Sequence, residues 1–166
     1  MKSLLVMRHA KSSWKKEGVS DHDRPLNERG KSDAPRMGRW LAQHGLRPER
    51  ILCSSAKRAK KTAKLVADVL DCAGCIEVHK RLYAAGPEDY IALLQLLPDD
   101  VQTAMIIAHD PTISHFVSTY AGAYTQMPTG SIAQFDVPVA QWSAFGPGTS
   151  CTLVTHGLPK SLPEEE

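Results

Sequence analysis

Hydrophobic positions along the chain follow two alternating patterns. Residues 3–7, 50–53, 76–78 and 103–108 are short, mostly apolar runs bounded by polar residues. Such runs predict strands buried on both faces of a sheet. Between them, apolar residues recur at helical spacing. Met37, Trp40 and Leu41 share one face of a helix that Asn27 can cap and Gly45 ends. Ala59, Ala63, Val66 and Leu70 share a face of a second helix over 55–70. Its other positions carry Lys57, Arg58, Lys60, Lys61 and Lys64, a basic stretch that reads first as a solvated face. Pro87 suits the first turn of a third helix with Tyr90, Leu93, Leu94 and Leu97 inside. Asp110-Pro111 suits the start of a fourth, running to Tyr120. Residues 131–137 and 141–145 alternate and predict a hairpin or edge pair, with 151–155 as one more strand.

Strands that alternate with helices predict a three-layer α/β/α sandwich with a mainly parallel sheet. Residues 1–158 are expected to form one domain. The stretch 159–166, with Pro159, Pro163 and three glutamates, is expected to fray. In such folds ligands bind beyond the carboxyl ends of the strands.

Composition narrows the function classes. The chain has 166 residues, 42% hydrophobic and 23% charged, with a formal net charge of +2. It is an ordinary globular composition, too balanced to argue for nucleic acid or an anionic membrane as partner. No apolar run is long enough for a membrane span, and residues 4–7 are too short for a signal-peptide core, so the expectation is cytoplasmic. Four cysteines are too few for a disulfide scaffold. Cys72 and Cys75 have metal-like spacing, and His79 with Cys151 or His156 would complete a zinc set on paper. A strong zinc signal shows two paired clusters, so free thiols are the simpler reading.

The polar residues at the strand ends carry the chemistry. Arg8-His9 ends the first strand, Ser54-Ser55-Ala56-Lys57-Arg58 follows the second, and His109-Asp110 ends the fourth. The fold therefore sends two histidines and two arginines to one edge of the sheet. Two guanidinium forks clamp an anion such as a phosphoryl group. A helix N-terminus near Ser55 adds backbone donors and positive dipole. One neutral imidazole can attack phosphorus, and a second can donate to the transferring oxygens. The arginines and histidine supply the positive charge, so no metal or other cofactor is expected.

These residues resemble the histidine phosphatase superfamily, with its phosphoglycerate-mutase-like fold. The resemblance rests on Met7-Arg8-His9-Ala10, on Arg58 within Ser-Ser-Ala-Lys-Arg-Ala, on Ala108-His109, and on Asp23-Arg24-Pro25-Leu26-Asn27-Glu28-Arg29-Gly30. It covers residues 1–120 in order. Ala10 in place of the usual glycine, and Lys11-Ser12-Ser13-Trp14, are similar to the SixA-like phosphohistidine phosphatases. The resemblance implies that His9 is the nucleophile that becomes phosphorylated. It implies that Arg8 and Arg58 bind the phosphoryl oxygens and that His109 stabilises the transferring group, with Ser12 adding a hydrogen bond. It further implies a phosphorylated partner, a histidine-containing phosphotransfer domain, and a site that phosphate or sulfate would occupy.

One departure from the family pattern bears on substrate. Larger members carry a carboxylic acid just after the first histidine motif or just before a tyrosine after the third strand. Those places here hold Lys11 and Lys80. An alkoxide leaves poorly without a proton, whereas imidazole, with a conjugate-acid pKa of about 6.5, can depart unaided. A phosphoramidate substrate is therefore favoured. Asp21, Asp23 or Glu88 could reach in from loops as an acid, although loop charge or a helix-start carboxylate is the simpler reading of each. A domain this small also leaves little for a lid, which suits a protein-borne substrate, unless residues 11–24 fold over the site.

Two other readings stand beside this one. The first is a small-molecule phosphomonoesterase acting on a sugar phosphate or nucleotide. The second is a non-catalytic phosphate-binding module, which the presence of His9 disfavours. His22, His44, His79, His115 and His156 have no partner nameable from sequence. Trp14 either lines the mouth of the site or pins its loop. The 57–64 basic stretch lacks the interleaved aromatics of a nucleic-acid surface and could steer an acidic protein.

Overall fold

The computed structural model describes residues 1–163. Six strands form one sheet in the order β3-β2-β4-β1-β5-β6. They are β1 (Lys2–Arg8), β2 (Arg50–Ser54), β3 (Ile76–His79), β4 (Thr103–Ala108), β5 (Ile132–Val137) and β6 (Thr152–Gly157). The first four run parallel, while β5 is antiparallel to both β1 and β6. Among the described residues four helices cover the sheet: α1 (Glu28–Gln43), α2 (Lys57–Leu70), α3 (Pro87–Gln95) and α4 (Thr112–Ala121).

Alternation along β1 explains its unbroken hydrophobicity. Leu5 and Met7 pack with Met37, Trp40 and Leu41 of α1 and the alanine face of α2. Leu4 and Val6 point the other way, into a core with Tyr90 of α3 and Phe116 of α4. Each strand residue thus meets a helix layer, and the three-layer α/β/α sandwich follows. At the two sheet edges the strands are only partly buried, with Val78 and Val154 each 50% exposed.

Several local signals act as the residue types require. The Asn27 side chain accepts from Gly30 N at 2.9 Å and caps α1. Asp110 Oδ1 accepts from Ser114 N and Oγ at the start of α4, which begins one residue after Pro111. One expected strand is corrected. Residues 141–145 do not pair with β5 but contain a short 3-10 turn, Trp142–Ala144. Trp142 and Phe145, three apart, are both buried, and Trp142 Nε1 donates to Val101 O at 2.8 Å. A spacing of three places both rings on one side of a turn, which a strand cannot do. The partner of β5 is instead β6.

Of the stretch expected to fray, Pro159–Ser161 form a 3-10 turn, and Arg36 donates to the carbonyls of Leu162 and Pro163 at 3.3 and 3.0 Å. Residues 164–166 lie outside the described ones. Cys72 and Cys75 border the core on the α1–α2 side, while Cys151 borders the opposite core. Cys151 is thus on the other side of the sheet from Cys72 and Cys75, and among the described residues no three His, Cys, Asp or Glu side chains cluster to hold a metal, with Cys151 or with His156. Among the described residues no helix is long and apolar enough to cross a membrane.

Candidate active site

The carboxyl ends of β1, β2 and β4 meet at one edge of the sheet. Arg8 stands across from Ala108 in the ladder, so Arg8-His9 and His109 leave adjacent strands side by side. The rings of His9 and His109 are 5.1 Å apart between centroids. Arg58 arrives from the first turn of α2, which follows β2 directly. Gly130 closes the floor: at φ +79° its N–H donates to both Arg8 O and His9 O at 3.0 Å. Arg8, His9, Ser12, Arg58 and His109 all line one cavity of about 510 Å³. The structure thus brings together all five residues singled out from the sequence.

One hydrogen bond defines the His9 tautomer. His9 Nδ1–H donates to Ala10 O at 2.7 Å, which leaves the Nε2 lone pair uncommitted. Ala10 N in turn donates to Thr62 Oγ1, whose hydroxyl donates to Arg58 O, so the loop after β1 is tied to α2. Ser54 Oγ accepts from Ala56 N at 3.2 Å and lies 2.7 Å from His109 Nε2. That hydrogen bond runs in the direction the His109 tautomer sets, and the other ring nitrogen is Nδ1. That atom is buried and without a protein partner. Arg8 Nε and Arg58 Nε are in the same condition. Two buried guanidinium donors and one imidazole nitrogen without protein partners, on residues that line one cavity, suit an anion with several oxygens.

Both imidazoles are neutral at pH 7. Burial chiefly lowers His9 to about 3, with the nearby His109, Arg58 and Arg8 lowering it further against the bond to Ala10. Burial and Arg58 lower His109 to about 4. A neutral His9 is the nucleophilic form.

A loop the periodicity does not describe supplies the far wall. Residues 11–27 fold back on themselves, with Ser12 bridged to Leu26 and Ser13 N donating to Pro25 O. Gly30 allows this approach, since a Cβ there would lie 2.1 Å from Lys11 O. The loop carries Asp21, whose backbone carbonyl accepts from Arg58 Nη1 at 2.6 Å and whose Oδ2 accepts from Arg58 Nη2 at 3.1 Å. Tyr83 Oη donates to the same Oδ2 at 2.5 Å. These bonds, with Tyr83 first, lower the Asp21 carboxyl to about 2. An anion drawn to Arg58 competes with this carboxylate. Ser12 lines the cavity with its oxygen accepting from Arg24 Nη1 at 2.8 Å. The Arg24 guanidinium also lies 3.4 Å over the Trp14 ring, so Trp14 both lines the mouth and pins the loop.

Three residues that sequence reasoning passed over belong here. Arg24 sits inside the Asp-Arg-Pro-Leu stretch already noted for its resemblance. Tyr83 follows the third strand and shares the cavity wall with Ala84. His22 Nε2 lies 2.9 Å from Ser55 Oγ, with its ring edge-on to Tyr83. Of the three acid candidates, only Asp21 lines the cavity. Asp23 is 71% exposed beside His22, and Glu88 lies against Gly86 at the start of α3. The second carboxylate of the wall, Asp110, faces Arg8 at 3.6 Å.

The sequence profile of the Histidine phosphatase superfamily (branch 1) matches residues 4–83. An uncharacterised protein of Mycobacterium leprae (strain TN) is 34% identical over 167 residues, which span 93% of this chain and 100% of that one. The structure of a protein histidine phosphatase SixA complexed with tungstate matches with TM-score 0.82 at 25% identity, over 97% of this chain and 99% of that one. The alpha-ribazole phosphatase from Shigella flexneri matches with TM-score 0.71 at 17% identity over 99% of this chain and 100% of that one, a likeness of fold alone.

Proposed function

The chain belongs to the histidine phosphatase superfamily and is a histidine-nucleophile phosphatase, and from that premise we propose that it hydrolyses protein-borne phosphohistidine, or a related phosphoramidate, without a metal. In the first step His9 Nε2 attacks phosphorus, a P–N bond forms, and the substrate's own P–N bond breaks. The substrate imidazole, carrying a proton from solvent on its distal nitrogen, departs with the electron pair as neutral imidazole. In the second step water attacks phospho-His9 and releases phosphate, returning the electron pair to Nε2. Arg8 and Arg58 hold the equatorial oxygens, His109 donates through Nδ1–H, and Ser12 donates its hydroxyl proton.

One observation carries the choice of substrate. Of the three acid candidates named from the sequence, the one that lines the cavity, Asp21, is held ionised by Tyr83 and Arg58. An ionised carboxylate has no proton to give an alkoxide, whereas a leaving imidazole with a conjugate-acid pKa of about 6.5 does not depend on one. The SixA structure with tungstate, whose oxyanion stands in for a phosphoryl group, is compatible with the same reading.

A specific observation favours a second reading. Residues 11–27 do wall the site, and a cavity of about 510 Å³ falls in the range of small-ligand pockets. A small phosphomonoester would fit it. Steady-state rates on a phosphorylated phosphotransfer domain, p-nitrophenyl phosphate and an alkyl phosphate separate the two. The phosphoramidate and the aryl ester are expected to turn over far faster than the alkyl ester, with or without a chelator. Comparable rates on the alkyl ester would establish a working acid and the small-molecule reading.

A further inference from the structure

Beside the catalytic cavity lies a second one, of about 620 Å³, with an apolar floor of Pro25 and Leu26. Its rim is built of lysines: Lys16 from the loop, and Lys57, Lys60 and Lys61 from α2. All four are exposed. Helical spacing puts the α2 lysines on one stripe, away from the alanine face that packs on the sheet. Two further lysines at the margin, Lys31 and Lys64, are each paired within their own helix, to Glu28 at 3.5 Å and Asp68 at 3.1 Å. No carboxylate within 4.0 Å faces the first four among the described residues. A protein with a net charge of only +2 thus concentrates unneutralised cations on one groove.

The groove begins where the catalytic cavity ends. Pro25 follows Arg24, and Lys57 precedes Arg58, so the two segments that wall the one also wall the other. A phosphohistidine seated against Arg58 belongs to a protein surface that must continue past this rim. We propose that the lysine-rimmed groove docks the phosphohistidine-bearing protein through an acidic face, an apolar side chain resting on Pro25 and Leu26 between flanking carboxylates. This rests on the function proposed above.

The groove's chemistry favours protein over nucleic acid. Base stacking needs an exposed aromatic platform, and none lines the groove. The exposed aromatic nearby, Trp14, already stacks with Arg24. Charges at such a rim act mainly on encounter and lose effect with salt.

The test is Lys60→Glu/Lys61→Glu in the full chain, two exposed positions that take no part in the catalytic cavity. The substrate is an acidic phosphotransfer domain phosphorylated on histidine, with p-nitrophenyl phosphate as control. The variant is expected to lose about tenfold in kcat/KM on the phosphodomain at low salt, carried by KM, and to lose the wild-type salt dependence, with the aryl ester unaffected. Equal KM and equal salt dependence on the phosphodomain would overturn the docking surface while leaving the proposed function standing. A wild-type protein that turns over the aryl ester but no phosphodomain would defeat the proposed function, and the docking surface with it. Loss of retention on a single-stranded oligonucleotide, with phosphodomain kinetics unchanged, would make the groove a nucleic-acid surface instead.

Discussion

Lowering the pH from 7 to 5 is expected to destabilise this protein through the two histidines of its cavity, His9 and His109. In the unfolded chain each titrates near 6.5; in the fold His9 titrates near 3 and His109 near 4. A histidine whose folded pKa is depressed stabilises the fold above its unfolded pKa. That stability is lost as pH falls, because the unfolded chain takes up protons that the folded chain refuses. The window runs from 6.5 down to the folded values. Between pH 7 and pH 5 the unfolded chain titrates across about 1.5 pH units, at about 1.4 kcal/mol per unit, so His9 contributes a loss of about 2 kcal/mol. His109 is half-buried and adds a somewhat smaller loss. The total of about 3–4 kcal/mol is a large share of an ordinary domain's stability. Urea unfolding at the two pH values, followed by tryptophan fluorescence, measures the loss in wild type and in His9→Gln. The variant is expected to lose about 2 kcal/mol less than wild type. Identical losses would show that the His9 imidazole is not held neutral by burial, and the nucleophile argument would lose its basis.

Other outcomes follow from the same geometry. Arg58→Lys keeps the charge but loses the fork, and kcat/KM on an aryl phosphate is expected to fall by about 10²–10³; a change under about threefold would remove Arg58 from the transition state. Asp21→Ala frees the buried Arg58 from its carboxylate partner, so tungstate should inhibit more tightly, by up to about fivefold for a carboxylate that is half exposed; unchanged or weaker inhibition would contradict the competition between Asp21 and an anion for Arg58. Gly30→Ala forces a Cβ against Lys11 O, and a loss of about 1–3 kcal/mol is expected in urea, with none observed if the loop yields freely.

The strand-end residues are legible in the sequence because the parallel fold carries Arg8, His9, Arg58 and His109 to one edge whatever the loops do. The buried runs of β1 and β4 are legible for the same reason, since both faces of each strand meet a helix layer. The far wall is different. Asp21, Arg24 and Tyr83 come from segments whose path is set by tertiary hydrogen bonds, such as Ser13 N to Pro25 O and Tyr83 Oη to Asp21, and no periodicity encodes those. The same limit explains Trp142 and Phe145. Residues 141–145 are too short a run for their period to separate a strand from a turn, and the burial of both rings, three apart, decides it. Asp21 joins both cases: its presence near the site is conceivable from sequence, but its ionisation depends on partners 37 and 62 residues away.

The central claim is that the uncommitted Nε2 of His9 takes the phosphoryl group. Rapid quenching of the wild-type protein with a 32P-labelled phosphodomain is expected to leave label on this chain, stable in base, labile in acid, and mapping to the peptide that contains His9. His9→Ala should carry none and release no phosphate. Label on another residue, or phosphate release by His9→Ala at the wild-type rate, would contradict the account.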